Sequence, residues 1–201
     1  MATVVIPFAG VDGKTRLQAS PALRRDMSLA MLGDVLGACV TLGRTLVVTS
    51  SAEGATVASE LGADHVPDSG GGQGHAVQAA LVELAGHVLV VNADLPCATP
   101  SDLEQLVAAA PAGGMALVEA DDGTTNALSL PHPAVFAPLY GAGSAARFRE
   151  HAGALGLATV TVALPNLVDD VDTVEDLQRV RLRCGPRTQS CLALLTAGAA
   201  A

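Results

Sequence analysis

A chain of 201 residues with a formal charge of −9 is most simply one domain. Its acidity argues against nucleic-acid polymers, whose binding needs many Lys and Arg contacts to phosphate, and an aromatic content of 2% argues against stacking on single strands. Half of the residues are hydrophobic, so the core is built from Ala, Val and Leu, and no apolar stretch reaches membrane-spanning length.

The N-terminal residues lack the basic region and cleavage site of a signal peptide, and the chain reads as soluble and cytoplasmic. Residues 3–8 read as a first strand. The next residues, Gly10-Val11-Asp12-Gly13-Lys14-Thr15, invite a P-loop reading, but the glycine that motif requires is replaced by Phe8. Pro21 also starts a separate helix, with Ser20 as its N-cap, where a P-loop helix would run straight on. Lys14 and Arg16 can still face an anion together from this loop.

Residues 45–49 form a second strand, 53–61 a short helix and 65–67 a short third strand. Asp68-Ser69-Gly70-Gly71-Gly72-Gln73-Gly74 is a glycine loop before a helix over 75–85, where exposed N–H groups favour a phosphate or a base edge. Residues 88–91 are a buried strand. Thr99-Pro100 opens the next helix, with Asp102 completing a capping box. Strand alternating with helix predicts a mostly parallel sheet with helices on both faces.

In the second half, residues 116–119 and 126–130 read as strands, 144–155 as a helix, 159–164 as a strand and 173–182 as a closing helix. Residues 1–184 make the domain, and 185–201 form a tail of low information content, expected to fray. The four cysteines form no zinc spacing and read as small apolar fillers in a reducing compartment. The aliphatic richness is compatible with a homodimer.

Two separated stretches carry the candidate chemistry: Val90-Val91-Asn92-Ala93-Asp94-Leu95-Pro96 and Val168-Asp169-Asp170-Val171-Asp172-Thr173. Each follows an aliphatic run read as a strand, so its acids are expected at the sheet rim, where α/β domains bind ligands. Asp94 stands beyond its strand, and an extended backbone points Asp170 and Asp172 to one side. Magnesium is typically held by one or two carboxylates together with phosphate and water oxygens, so Asp94, Asp170 and Asp172 are the expected metal ligands. Asp172 could alternatively serve only to precede a capping box of Thr173 and Asp176.

Taken in order, Ile6-Pro7-Phe8 with Lys14-Thr15-Arg16-Leu17, Ala30-Met31-Leu32-Gly33-Asp34-Val35, Ala93-Asp94-Leu95-Pro96, Gly123-Thr124-Thr125-Asn126-Ala127-Leu128, Tyr140-Gly141-Ala142-Gly143-Ser144 and Asp170-Val171-Asp172-Thr173 resemble the CofC/FbiD family of guanylyltransferases. The resemblance implies a single-domain, Rossmann-like, MobA-like nucleotidyltransferase fold. It implies transfer of GMP from GTP to 2-phospho-L-lactate or phosphoenolpyruvate, with release of pyrophosphate, in coenzyme F-420 biosynthesis. It carries the metal ligands onto Asp94, Asp170 and Asp172, and the phosphoacid pocket onto Thr125, Gly141 and Ser144. With the residue reading it makes Lys14, Arg16 and Asp94 catalytic, and Lys14, Arg16, Gly71, Gly72, Gln73 and Asp94 the nucleotide site. The chain departs from the family pattern at Phe148, where a histidine is usual. The alternatives are a MobA-like nucleotidyltransferase with another acceptor and a non-catalytic nucleotide-binding protein.

Overall fold

A computed structural model describes residues 2–11, 14, 16, 17 and 19–198, with side chains as far as residue 194. Asp12, Gly13 and Thr15 of the would-be P-loop lie outside the described residues. Three aliphatic runs, β1 (Thr3–Pro7), β2 (Thr45–Thr49) and β4 (Val88–Val91), form the centre of one seven-stranded sheet. They are buried on both sides, as unbroken aliphatic strands should be. With β3 (Asp64–Pro67), β5 (Met115–Glu119), β6 (Thr125–Leu130) and β7 (Thr159–Thr161), the order is β3-β2-β1-β4-β6-β5-β7. Neighbours run parallel except β6, which is antiparallel to both β4 and β5.

The pleat separates the core into two layers. Val4 and Ile6 pack with Leu32, Val35 and Leu36 of α1 (Pro21–Cys39), Ala58 of α2 (Ala52–Glu60) and Leu103 and Leu106 of α4 (Pro100–Ala109). Val5 points the other way, into a cluster with Ala76, Val77 and Ala80 of α3 (Gln73–Leu81) and Ala145, Phe148 and Ala152 of α5 (Ser144–Ala154). Helices therefore cover both faces. A third, smaller cluster joins Leu17, Met31, Cys97 and Val171 to Leu177 and Val180 of α7 (Val174–Val180) and Cys191 of α8 (Pro186–Gly198). All four cysteines are buried and free.

Helix starts follow local chemistry. Ser20 caps α1, Thr99 and Asp102 form the capping box of α4, and Thr173 and Asp176 that of α7. Three differences from the sequence expectation stand out. β7 stops at Thr161: Val162 still donates to the Leu117 carbonyl at 2.9 Å, and beyond it the chain buries Leu164 and Leu167 in the core. The run before Asp169 is a helical turn, α6 (Pro165–Val168), and not a strand. The expected tail is helical as far as Gly198 and packs along α1. Among the described residues, no helix is long and apolar enough to cross a membrane.

One carboxylate pins the start of α8. Asp34 in the middle of α1 accepts from the backbone N–H groups of Arg187 and Thr188, at 3.1 and 2.8 Å. It thus satisfies two of the donors that a helix start leaves open. Asp34→Ala should lower the unfolding free energy by about 1–2 kcal/mol, the usual cost of losing an N-cap, as read from urea denaturation.

Candidate active site

From β1 the chain runs to β2 and β3 on one side, then returns to place β4 on the other. The gap past the carboxyl ends of β1 and β4 is the switch point at which such sheets bind ligands. A cleft of about 320 Å³ opens there, lined by Phe8, Lys14, Gly72, Gln73, Asn92 and Asp94 among others.

Asp94 enters from the loop after β4. Asp170 and Asp172 enter from the segment between α6 and α7. One carboxylate oxygen from each of the three lies within 4.8 Å of the other two. The backbone brings the strands of this knot together: the N–H of Val171 donates to the Asp94 carbonyl at 3.1 Å, and the Val171 side chain is fully buried in the third cluster. Asp172 stands both beside the α7 capping box and at the cleft. Its backbone N–H donates to the Asp176 carboxylate of the α7 capping box, while its own carboxylate faces the cleft.

Lys14 bridges the acids. Its Nζ lies 2.6 Å from Asp94 Oδ2 and 2.6 Å from Asp172 Oδ1. Burial pulls the Lys14 ammonium towards neutrality, but the Asp94 charge and hydrogen bonds to both acids outweigh it, and the net shift is upward. Lys14 has a φ of 57°, a left-handed conformation that costs a non-glycine residue about 1–2 kcal/mol, and such outliers concentrate at working sites. Arg16 stands at the rim, largely exposed, 3.7 Å from Asp172. A pair that open contributes little to stability.

The donors fit a divalent cation. All three side chains offer carboxylate oxygens, the atoms magnesium prefers. Asp94 Oδ1 is buried without a hydrogen-bond partner among the described residues, and a bare buried anionic oxygen is costly unless a cation meets it. Asp170 carries the strain of the arrangement. Burial, and then the neighbouring Asp94 charge, push its carboxyl up to about 6.

The remaining predicted residues divide. Gly72 and Gln73 line the same cleft, while Gly71, next in the loop, is exposed with its carbonyl 2.9 Å from His75 Nδ1. Gly70, Gly71 and Gly72 all have φ near +90°, which lets α3 begin at Gln73, two residues before the expected start. Thr125 and Ser144 meet: the Ser144 hydroxyl donates to Thr125 Oγ1 at 3.1 Å, both side chains buried. Gly141, with φ of 107°, turns the chain so that α5 starts at Ser144. Thr125 is tied to the cleft because Asn92 Nδ2 donates to its carbonyl at 3.2 Å.

Three contributors escaped the sequence reading. Asn92 and Asn126 link the cleft to the acid segment, and Arg147 donates to the carbonyls of Leu139, Tyr140 and Ala142, gripping the loop that carries Gly141. Asn92 was visible as a polar residue closing a buried strand. Nothing in the sequence marked Arg147. Phe148 is buried against Tyr140 and Phe136, so the position where the family pattern has histidine serves packing here.

Because the folded protein binds the Asp170 proton more tightly than the unfolded chain, whose ordinary value is 3.8, the associated stability is present at low pH and is lost as pH rises through about 6. In chelator, Asp170→Asn should be more stable than wild type by about 1–2 kcal/mol at pH 8, allowing for solvent screening of a half-buried group. The difference should shrink as pH falls towards 4, which urea unfolding at both pH values measures.

Comparison with known proteins gives a consistent result. A family profile described as "Guanylyl transferase CofC like" matches residues 2–192. A phosphoenolpyruvate guanylyltransferase of Mycolicibacterium smegmatis is 36% identical over 192 residues, covering 90% of this chain and 85% of the relative. A 2-phospho-L-lactate guanylyltransferase of Natrialba magadii is 34% identical over 194 residues, covering 88% and 82%. Among solved structures, a candidate nucleotide-diphospho-sugar transferase from Desulfovibrio desulfuricans G20 superposes with a TM-score of 0.75 at 18% identity, covering 98% of this chain and 96% of that one. At that identity the last likeness speaks for the fold alone.

Proposed function

The chain belongs to the CofC-like guanylyl transferase family, and on that premise we propose that it transfers GMP from GTP to a small phosphorylated acid, 2-phospho-L-lactate or phosphoenolpyruvate, as a cytoplasmic step in coenzyme F-420 biosynthesis. The observation that carries this reading is the meeting of Asp94, Asp170 and Asp172 with Lys14 at the carboxyl ends of β1 and β4.

The reaction brings two polyanions together. A phosphate oxygen of the acceptor attacks the α-phosphorus of GTP, the bond from that phosphorus to the bridging oxygen breaks, and pyrophosphate leaves. The nucleophile is already anionic, so no side chain needs to take a proton from it. The obstacle is charge and alignment. Asp94, Asp170 and Asp172 would hold a magnesium ion, which when bound neutralises phosphate charge and orients the oxygens. Lys14, already inside the acid cluster, adds a fixed positive charge beside the reacting phosphates. Arg16, free to swing at the rim, meets the departing pyrophosphate. Gly71, Gly72 and Gln73 offer backbone and amide donors to the nucleotide at the start of α3. Thr125, Gly141 and Ser144 hold the acceptor acid at the start of α5, where no side chain caps the helix and the helix dipole favours an anion.

Pyrophosphate release measured for GTP, ATP and CTP against both acids, with and without magnesium, tests the reading. Turnover is expected with GTP and at least one acid, and only with magnesium. GTP binding by calorimetry with no release for either acid would instead support a non-catalytic nucleotide-binding protein. Release with CTP or ATP and a different phosphorylated acceptor would support a relative of other specificity. Asp94→Asn should cut turnover by at least ~100-fold while circular dichroism stays unchanged, and a fully active variant removes Asp94 from the mechanism.

A further inference from the structure

We infer that Asn126 is a positioning residue for the acid cluster, the buried amide that decides where Asp170 sits; this rests on the metal-binding reading above. Residues 169–172 belong to no helix or strand, so their placement depends on what ties them down. Asn126 lies near the start of β6, 1% exposed. Its Nδ2 donates to the carbonyls of Leu167 at 3.0 Å and Val168 at 2.9 Å, and reaches Asp170 Oδ1 at 3.4 Å. Those two carbonyls end a helix of a single turn, which cannot satisfy them internally.

The other side of the amide faces the cleft. Asn126 Oδ1 accepts from Asn92 Nδ2 at 3.4 Å, and Asn92 Oδ1 accepts from Gln73 Nε2 at 2.7 Å. The Asn92 backbone N–H donates to the Asn126 carbonyl at 3.0 Å. Asn92 stands two residues before Asp94, so one pair of amides couples the loop carrying Asp94 to the segment carrying Asp170. The neighbouring acid is held the opposite way: Asp169 pairs with Arg179 and Arg183. Adjacent carboxylates on an extended backbone point to opposite sides. Asn126 on one flank and the two arginines on the other therefore select Asp170, and not Asp169, for the acid cluster. With one Asp170 oxygen held by the amide, the other is left for a cation.

Mn²⁺ affinity of the nucleotide-free protein, read from the free-ion electron paramagnetic resonance signal, tests this without turnover. Outer partners of metal-ligating groups typically contribute 10–100-fold in metal affinity, so Asn126→Ala should weaken Mn²⁺ binding by about tenfold or more. Leu130→Ala, which opens a cavity at the opposite end of β6, where Leu130 pairs with Val88, is the stability control and should bind Mn²⁺ as wild type does. An Asn126→Ala protein that is folded and weakened no more than this control overturns the inference. Should Asn126→Ala fail to fold, Asn92→Ala decides: a several-fold loss supports the relay and an unchanged affinity overturns it. Wild type that binds no Mn²⁺ overturns the metal reading itself, and the inference with it.

Discussion

The central constraint on this molecule is the convergence of three carboxylates from distant parts of the chain. Two charges about 4 Å apart repel by about 4 kcal/mol at the effective dielectric of a protein surface, so such a cluster does not assemble by itself. It is assembled by apolar neighbours. Leu17 lies three residues after Lys14, Cys97 three after Asp94, and Val171 between Asp170 and Asp172, and all three side chains share the third core cluster. Each charged loop carries its own buried anchor. Hydrophobic burial, non-directional and worth about 1.5–3 kcal/mol for a Val or Leu side chain, holds the loops where their charges would otherwise push them apart. Lys14 then offsets part of what remains.

The cluster sits where it does because of the sheet. The chain leaves β1 for one side and returns at β4 on the other, so the loops after both strands end beside each other. β6, running antiparallel next to β4, brings Thr125 and Asn126 to that same end. The two halves of the proposed site are thus built on neighbouring strands: a proposed nucleotide side formed by β1, β4 and the glycine loop, and a proposed acceptor side formed by β6 and the start of α5. Gly74 shows how closely they abut. A Cβ there would come within 2.9 Å of the Pro138 backbone, just ahead of the loop that Arg147 grips.

The proposed acceptor half is also where three of the four aromatic rings gather. Phe136, Tyr140 and Phe148 have ring centroids 5.4–6.2 Å apart, in tilted and edge-on contacts, behind the loop that carries Gly141 and Ser144. Rings supply large rigid surfaces, and here they back the loop in which Gly141 and Gly143 take positive φ. Arg147 completes this support by spending its guanidinium on the loop carbonyls, so it acts here as scaffold and not as a free cation.

Local chemistry determined the parts of this protein that local chemistry can reach. Unbroken Val and Leu runs made β1, β2 and β4 legible, and Ser20, Thr99 and Thr173 marked helix starts through their capping hydroxyls. Aspartates beside buried residues marked the candidate ligands, because acids at the end of an aliphatic run have few structural uses. The end of β7, the turn of α6 and the helix α8 were not legible, since each depends on a partner far along the chain: Leu167 on the sheet, Asp34 on the start of α8. The same holds for Asn92, Asn126 and Arg147, whose amides and guanidinium look like ordinary surface chemistry until the fold shows what they hold. A sequence states which groups are charged, apolar or able to cap. Which of two adjacent aspartates joins the acid cluster depends on hydrogen bonds across 44 residues of chain, and only the tertiary structure supplies them.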